Sequence, residues 1–239
     1  MSSNFLTDLP NEIGNLSELV QLRLGINQLS SVSPALKNLQ RLEVLKFMPR
    51  VSVKMHVTMS NLQELLLNNS KLCPTVCRFG NGSFLGLAKL AYLDLPFNQI
   101  EQLPDHLDCL TSLNVLLLSK NLLRTLPQSV ALLSSLTLLK LSNNQLSFLP
   151  QHFGSNLPSL TELALNSNKL TSLPESLAGV ENLEYLDLHS NTISELPAEM
   201  GRLSKLAILN LRNNLLVSLP PELGQVSLRL LDLSDNQRE

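Results

Sequence analysis

Residues 183–206 read LEYLDLHSNTISELPAEMGRLSKL, two halves with different physics. In the first, Leu183, Leu186, Leu188 and Asn191 set out the pattern L-x-x-L-x-L-x-x-N. Leu186 and Leu188 alternate with Tyr185, Asp187 and His189, the period of two expected of a short strand with one buried face. In the second half Ile193, Leu196, Met200 and Leu203 fall three or four residues apart. That spacing predicts a turning, partly helical return that buries one stripe. Pro197 can begin a turn there but has no N–H with which to continue a ladder. Such a unit cannot cover its own apolar face, so it needs a similar neighbour on each side.

The neighbours are present. Leucines opening the same pattern stand at Leu90, Leu113, Leu136, Leu160, Leu183 and Leu206, a repeat period of roughly 23 residues. The turn asparagine recurs at Asn98, Asn121, Asn144, Asn168, Asn191 and Asn214, and a Leu-Pro pair follows it each time. Three residue types keeping one period define a repeat array. The leucines are expected to fill a continuous core, each contributing about 1.5–3 kcal/mol when fully buried. The asparagine carries a donor and an acceptor on one short side chain. It is expected to bond the backbone of its own and the next repeat, so that losing it costs roughly 1–3 kcal/mol.

These residues resemble the leucine-rich-repeat family over essentially the whole chain. The LPxxLxxLxxLxxLxLxxN form is similar to the Ras-associated leucine-rich-repeat proteins and the Scribble/Erbin-type intracellular scaffolds. The resemblance implies an α/β, right-handed solenoid or horseshoe, with a parallel concave β-sheet of about ten strands. Residues 1–239 read as a single repeat domain of about ten to eleven units, cut mid-repeat at both ends. The first unit begins near Asn4, Leu9 and Pro10, and the last opens at Leu228. Residues 42–89 are irregular. Arg50 and Ser70 occupy asparagine slots, the step from Leu42 to Leu62 is short, and that from Leu62 to Leu90 is long. CPTVCRFGNGSF (73–84) reads as an inserted loop. The alternating VSVKMHVTM (51–59) suggests an extended return in place of a helical one.

Composition narrows the function. Apolar residues make up 44% of the chain and aromatics only 4%, with no Trp, which suits many small leucine layers. A net charge of −2 gives no footprint for nucleic acid. No apolar run approaches the roughly 18 residues of a membrane span. The opening MSSNFLTDLPNEIG has neither a basic nor an apolar signal region, and Ser2 is not a myristoylation site. The three cysteines, Cys73, Cys77 and Cys109, form no cysteine-rich cap and suggest reduced thiols in a cytoplasmic setting. The Cys73-x-x-x-Cys77 spacing is not the redox C-x-x-C, and no second Cys/His pair follows to complete a zinc site. The sequons at Asn15, Asn68 and Asn81 are expected to go unused without a secretory signal.

No hydrolase, zincin, P-loop or dinucleotide motif occurs, and the four histidines are scattered among different units. The sequence therefore assigns no catalytic, cofactor or metal residues. Arg50-Val51-Ser52-Val53 matches the phosphatase-docking RVxF peptide only without its aromatic. The informative positions are the third, fifth and seventh slots of each strand half, which point away from the core onto the surface that repeat proteins use for binding. Tyr92, Val115 and Leu138 share one slot on successive strands, Leu117 stands in the next column, and Phe97 lies at the rim. Asp94, Lys120 and Lys140 are expected to flank this patch with charge. A more polar second candidate is Tyr185, Asp187, His189 and Arg212. The expected function is a non-catalytic protein-interaction scaffold or adaptor; its place in intracellular signal transduction is implied by the family resemblance. Its protein partner would belong to a class such as a small GTPase, kinase or phosphatase. The alternatives are a phosphatase regulatory subunit, a receptor-type sensing segment, and the repeat arm of a larger multidomain enzyme.

Overall fold

The computed structural model describes residues 5–27, 29, 33–48, 59–67 and 84–236. Of the expected extended return (51–59) and inserted loop (73–84) only Met59 and Phe84 are described, and both are buried; Arg50, Ser70, Cys73, Cys77 and the RVxF-like segment lie outside the described residues. The chain divides into two compact units, Met1–Leu122 and Leu123–Glu239.

Among the described residues each unit holds five short parallel strands, one to a repeat. In the first unit these are β1 (Gln21–Ile26), β2 (Val44–Met48), β3 (Glu64–Leu66), β4 (Tyr92–Asp94) and β5 (Val115–Leu117), hydrogen-bonded in chain order. In the second they are β6 (Leu138–Lys140), β7 (Glu162–Ala164), β8 (Tyr185–Asp187), β9 (Ile208–Asn210) and β10 (Leu230–Asp232), again in chain order. The pairing aligns equal slots of the repeat. Leu163 faces Leu186, and Leu186 faces Leu209, so the leucines stack into one column and the outward residues into others. These are the parallel, slot-aligned strands that the repeat predicts, five in each unit among the described residues. The register shifts between Arg23 and Gly25 of β1, where Gly25 takes a positive φ of 56°, a conformation open to glycine at little cost.

The return halves close by 3₁₀ turns, and no α-helix occurs among the described residues. The Leu-Pro pair explains this. In η1 (Asn11–Asn15), η3 (Gln128–Leu132), η4 (Glu175–Gly179), η5 (Ala198–Arg202) and η6 (Pro221–Gln225), the residue just before the turn is Pro10, Pro127, Pro174, Pro197 or Pro220, each extended. The proline carbonyl then accepts from the N–H three residues on, at 3.0–3.1 Å. In the second unit that third residue is Val130, Phe153, Leu177, Met200 or Leu223, and each is buried. The proline thus sets which side chain of the return enters the core. In η2 (Pro34–Asn38) Ser33 replaces it and caps the turn by accepting from Ala35 N–H.

The asparagines are buried in a ladder whose direction differs from expectation. Asn168 Nδ2 donates to Leu165 O of its own repeat at 2.9 Å and to Leu141 O of the preceding one at 3.0 Å. Its Oδ1 accepts Leu146 N–H, also of the preceding repeat, at 3.0 Å. Asn121, Asn191, Asn214 and Asn236 repeat the pattern. The ladder therefore reaches back to the preceding repeat; it does not reach forward. The cause is local. The residue before each asparagine sits at φ 53–58° (Phe97, Lys120, Asn143, Ser167, Ser190, Asn213, Asp235). This left-handed turn follows the strand and aims the amide at carbonyls already laid down.

Candidate functional site

Two outward surfaces carry the sequence-predicted residues, one in each unit. In the first unit Tyr92 pairs in register with Val115, and Asp94 with Leu117. The strand alternation drives Leu93 and Leu116 into the core and leaves Tyr92, Val115 and Leu117 half-buried on the open face. At the rim Phe97 is 52% exposed, because the left-handed backbone at this slot turns its ring outward. Lys120, in the same left-handed slot one repeat on, places Nζ 4.3 Å from the centre of the Phe97 ring. A cation over an aromatic face at an exposed site is worth about 0.5–1 kcal/mol. Four apolar side chains and one cation are thus gathered on β4, β5 and their turns.

Asp94 departs from the expectation of a surface charge: it is 7% exposed. Its charge acts on Tyr92, whose phenol is held above its ordinary 10.0 by burial first, then by Asp94 and Glu64. Leu138 and Lys140 stand on β6, in the second unit. Lys140 is engaged there with Glu162 at 3.0 Å.

The second unit's open face is a polar network. His189 Nδ1 lies 2.7 Å from Asp187 Oδ1, and the Tyr185 hydroxyl lies 3.4 Å from Asp187 Oδ2. Burial, then the Asp187 charge and this hydrogen bond, raise the Tyr185 phenol above 10.0. Arg212 Nε meets Asp235 at 2.9 Å. Of the second candidate group, then, Tyr185, Asp187 and His189 are brought together, and Arg212 pairs elsewhere. The seventh-slot residues Ser142 and Asn166, which sequence reasoning passed over, join the network through His189. Their signal was the slot itself: polar residues fill it from Ser142 to Ser234. Among the described residues, no group of three or more His, Cys, Asp or Glu side chains could hold a metal ion. No helix there is long and apolar enough to cross a membrane.

Comparison with known proteins bears on this arrangement of one parallel strand per leucine-patterned repeat. A sequence profile of the family described as leucine rich repeat matches residues 134–193 and 181–237. A leucine-rich-repeat protein of Leptospira interrogans is 30% identical over 98% of this chain and 71% of its own, with a TM-score of 0.58. The chain is a leucine-rich-repeat protein. The Toll–Spatzle complex of Drosophila is similar at 29% identity and TM-score 0.78, covering 95% of this chain and 31% of that one. A TDR receptor is similar at 28% identity and TM-score 0.77, covering 96% of this chain and 41% of that one. No curated protein sequence matches the chain.

Within the leucine-rich-repeat frame, the invariant slots supply the core and ladder while the outward slots differ between units. Apolar area marks β4 and β5, and hydrogen-bonded polar groups mark β6 to β9. Leucine-rich-repeat folds are typical of protein–protein interaction modules, and the outward columns are where such a module differs from one member to another.

Proposed function

We propose that this chain is a non-catalytic interaction scaffold or adaptor of intracellular signal transduction, working in the cytoplasm. Its protein partner docks on the open face of β4 and β5. The observation that carries this reading is the exposed Phe97 ring beside half-buried Tyr92, Val115 and Leu117. Apolar side chains facing solvent on a rigid sheet gain free energy when a partner covers them. An aromatic centre with polar groups at its edge is the usual composition of a binding hot spot. A folded protein suits these partly exposed side chains, whereas a small molecule is ordinarily held in a cleft that buries most of its surface. The LPxxLxxLxxLxxLxLxxN form resembles that of the Ras-associated and Scribble/Erbin-type proteins, and this resemblance makes a small GTPase, kinase or phosphatase the partner class to try first.

The test compares partner capture by the wild-type chain and by Tyr92→Ala, Phe97→Ala and Leu117→Ser, each shown to fold, with Glu175→Ala on η4 as control. A hot spot loses about 2 kcal/mol on truncation, roughly a thirtyfold weaker affinity. Unchanged capture by all three variants would retire the site.

A second reading, a receptor-type sensing segment, draws support from the likeness to the Toll–Spatzle complex and the TDR receptor. Capture of a secreted ligand by the chain, with no cytoplasmic partner bound, would favour it.

A further inference from the structure

The shortest hydrogen bond around His189 places a proton on one ring nitrogen. Nδ1 lies 2.7 Å from Asp187 Oδ1, a contact that needs a proton between the two atoms, so Nδ1 donates. Nε2 faces the Asn166 amide nitrogen at 3.3 Å, and only a bare, accepting Nε2 can receive that donor. Asn166 Oδ1 in turn accepts the Ser142 hydroxyl. Donation therefore runs from Ser142 to Asn166, to His189, to Asp187, with the imidazole neutral. The His189 backbone N–H also donates to Asp187 Oδ1, at 3.2 Å.

A proton added at Nε2 would set two donors face to face. A half-turn of the Asn166 amide about its soft, two-fold terminal torsion cures this. Oδ1 then accepts from Nε2–H, Nδ2 donates to Ser142 Oγ, and the Ser142 proton is freed toward solvent. Both side-chain bonds of Asn166 are remade with opposite polarity, and Asp187, only 7% exposed, holds the imidazolium from Nδ1 without rearranging. We propose that Ser142, Asn166, His189 and Asp187 form a proton-operated switch on the open face of the second unit. It adds one positive charge and turns an internally bonded hydroxyl into a free donor. Imidazole is the side chain that ordinarily changes charge between about pH 5 and 8.

The surroundings leave Asn166 as the movable part. On β6 and β7, Lys140 and Glu162 are paired with each other. On β8, Tyr185 and Asp187 share their own hydrogen bond. After β9, Arg212 is held by Asp235. On β10, the Asp232 carboxyl is kept below its ordinary range, chiefly by hydrogen bonds from Ser234. Asn210 Nδ2 also lies 3.3 Å from Nδ1; with Nδ1 donating to Asp187 this is a contact of two donors and no hydrogen bond, and the amide is held in that orientation because its Oδ1 accepts Arg212 N–H at 3.1 Å. A partner presenting a carbonyl or carboxylate oxygen to Ser142 is held more tightly by the protonated form. That consequence rests on the proposed binding function, whereas the switch itself is tested without a partner.

The experiment is nitrogen-detected NMR of the whole chain, taken from about pH 8 down to about pH 5, where imidazole titrates. At the upper end the His189 ring carries its proton on Nδ1, and a through-hydrogen-bond coupling links Asn166 Nδ2 to His189 Nε2. On acidification that coupling is lost, and the Asn166 amide resonances move with the same midpoint as the His189 ring. His189→Gln, used to identify the signals, loses the step. An Nε2–H tautomer at the upper end, a ring that stays neutral throughout, or an Asn166 amide unmoved by the titration would each overturn the switch. A switch seen by NMR with partner capture independent of pH would remove only the partner consequence.

Discussion

The buried asparagines show how much one side chain decides. Each satisfies two carbonyls and one N–H that water cannot reach, so removing it strands backbone groups at roughly 1–3 kcal/mol. The direction of the ladder sharpens the expectation. Asn168→Ala should release Leu146 N–H, which bonds Asn168 Oδ1, and leave Leu170 N–H, which bonds Asn191. Residue-resolved hydrogen exchange should therefore quicken more at Leu146 than at Leu170. Equal quickening would contradict the backward ladder. The tyrosines make a second residue-scale prediction. Both phenols of the protein are raised above 10.0 in the fold, so the unfolded chain loses its phenolic protons first. The stability they contribute is complete below about pH 10 and is lost as pH rises through the folded values. Absorbance titration should show phenolate appearing later in the folded than in the denatured chain. The double variant Tyr92→Phe, Tyr185→Phe should lose less stability on alkalinisation.

At the level of elements, the 3₁₀ turns approach one another so closely that some positions admit no side chain. A Cβ on Gly201 of η5 would lie 2.5 Å from Glu222 O, whereas one on Gly224, at the equivalent place in η6, meets nothing within 4 Å. Overpacking of this kind costs typically about 1–3 kcal/mol. Thermal unfolding should therefore show Gly201→Ala clearly destabilised, with Gly224→Ala close to wild type. Similar melting temperatures for the two would mean that neighbouring turns slide apart without cost. The strands, at three residues each over most of the array, are too short to hold by themselves. Their stability comes from stacking equal slots, and this is also what lines up the outward columns proposed for binding.

Across the whole molecule, burial is uneven in a way the repeat pattern alone does not disclose. The slot that places Leu186 and Leu209 at 0% exposure leaves Leu231 at 38%. Leu186→Ala should cost about 2–5 kcal/mol, the range for a buried leucine, and Leu231→Ala much less. Denaturant unfolding of the two variants measures the difference, and equal losses would show that Leu231 is covered in solution. Amide exchange around β10 should likewise be faster than in β8.

The array, the parallel strands, the leucine core and the buried asparagines were legible in the sequence because each depends on a residue type recurring at a fixed spacing. The outward positions of Tyr92, Val115 and Leu117 followed from strand alternation for the same reason. Tertiary structure alone decided the rest. The left-handed turn before each asparagine sent the ladder backward, and no spacing carries that sign. The Leu-Pro pair became a 3₁₀ cap because the proline carbonyl found a donor three residues on. Asp94 and Asp187 were buried although their slot faces outward, with the Tyr185 hydroxyl meeting its aspartate two residues along. Ser142, Asn166 and His189 come from three successive repeats. Only the stacking of those repeats brings them within hydrogen-bond distance, where the proton on one fixes the orientation of the others.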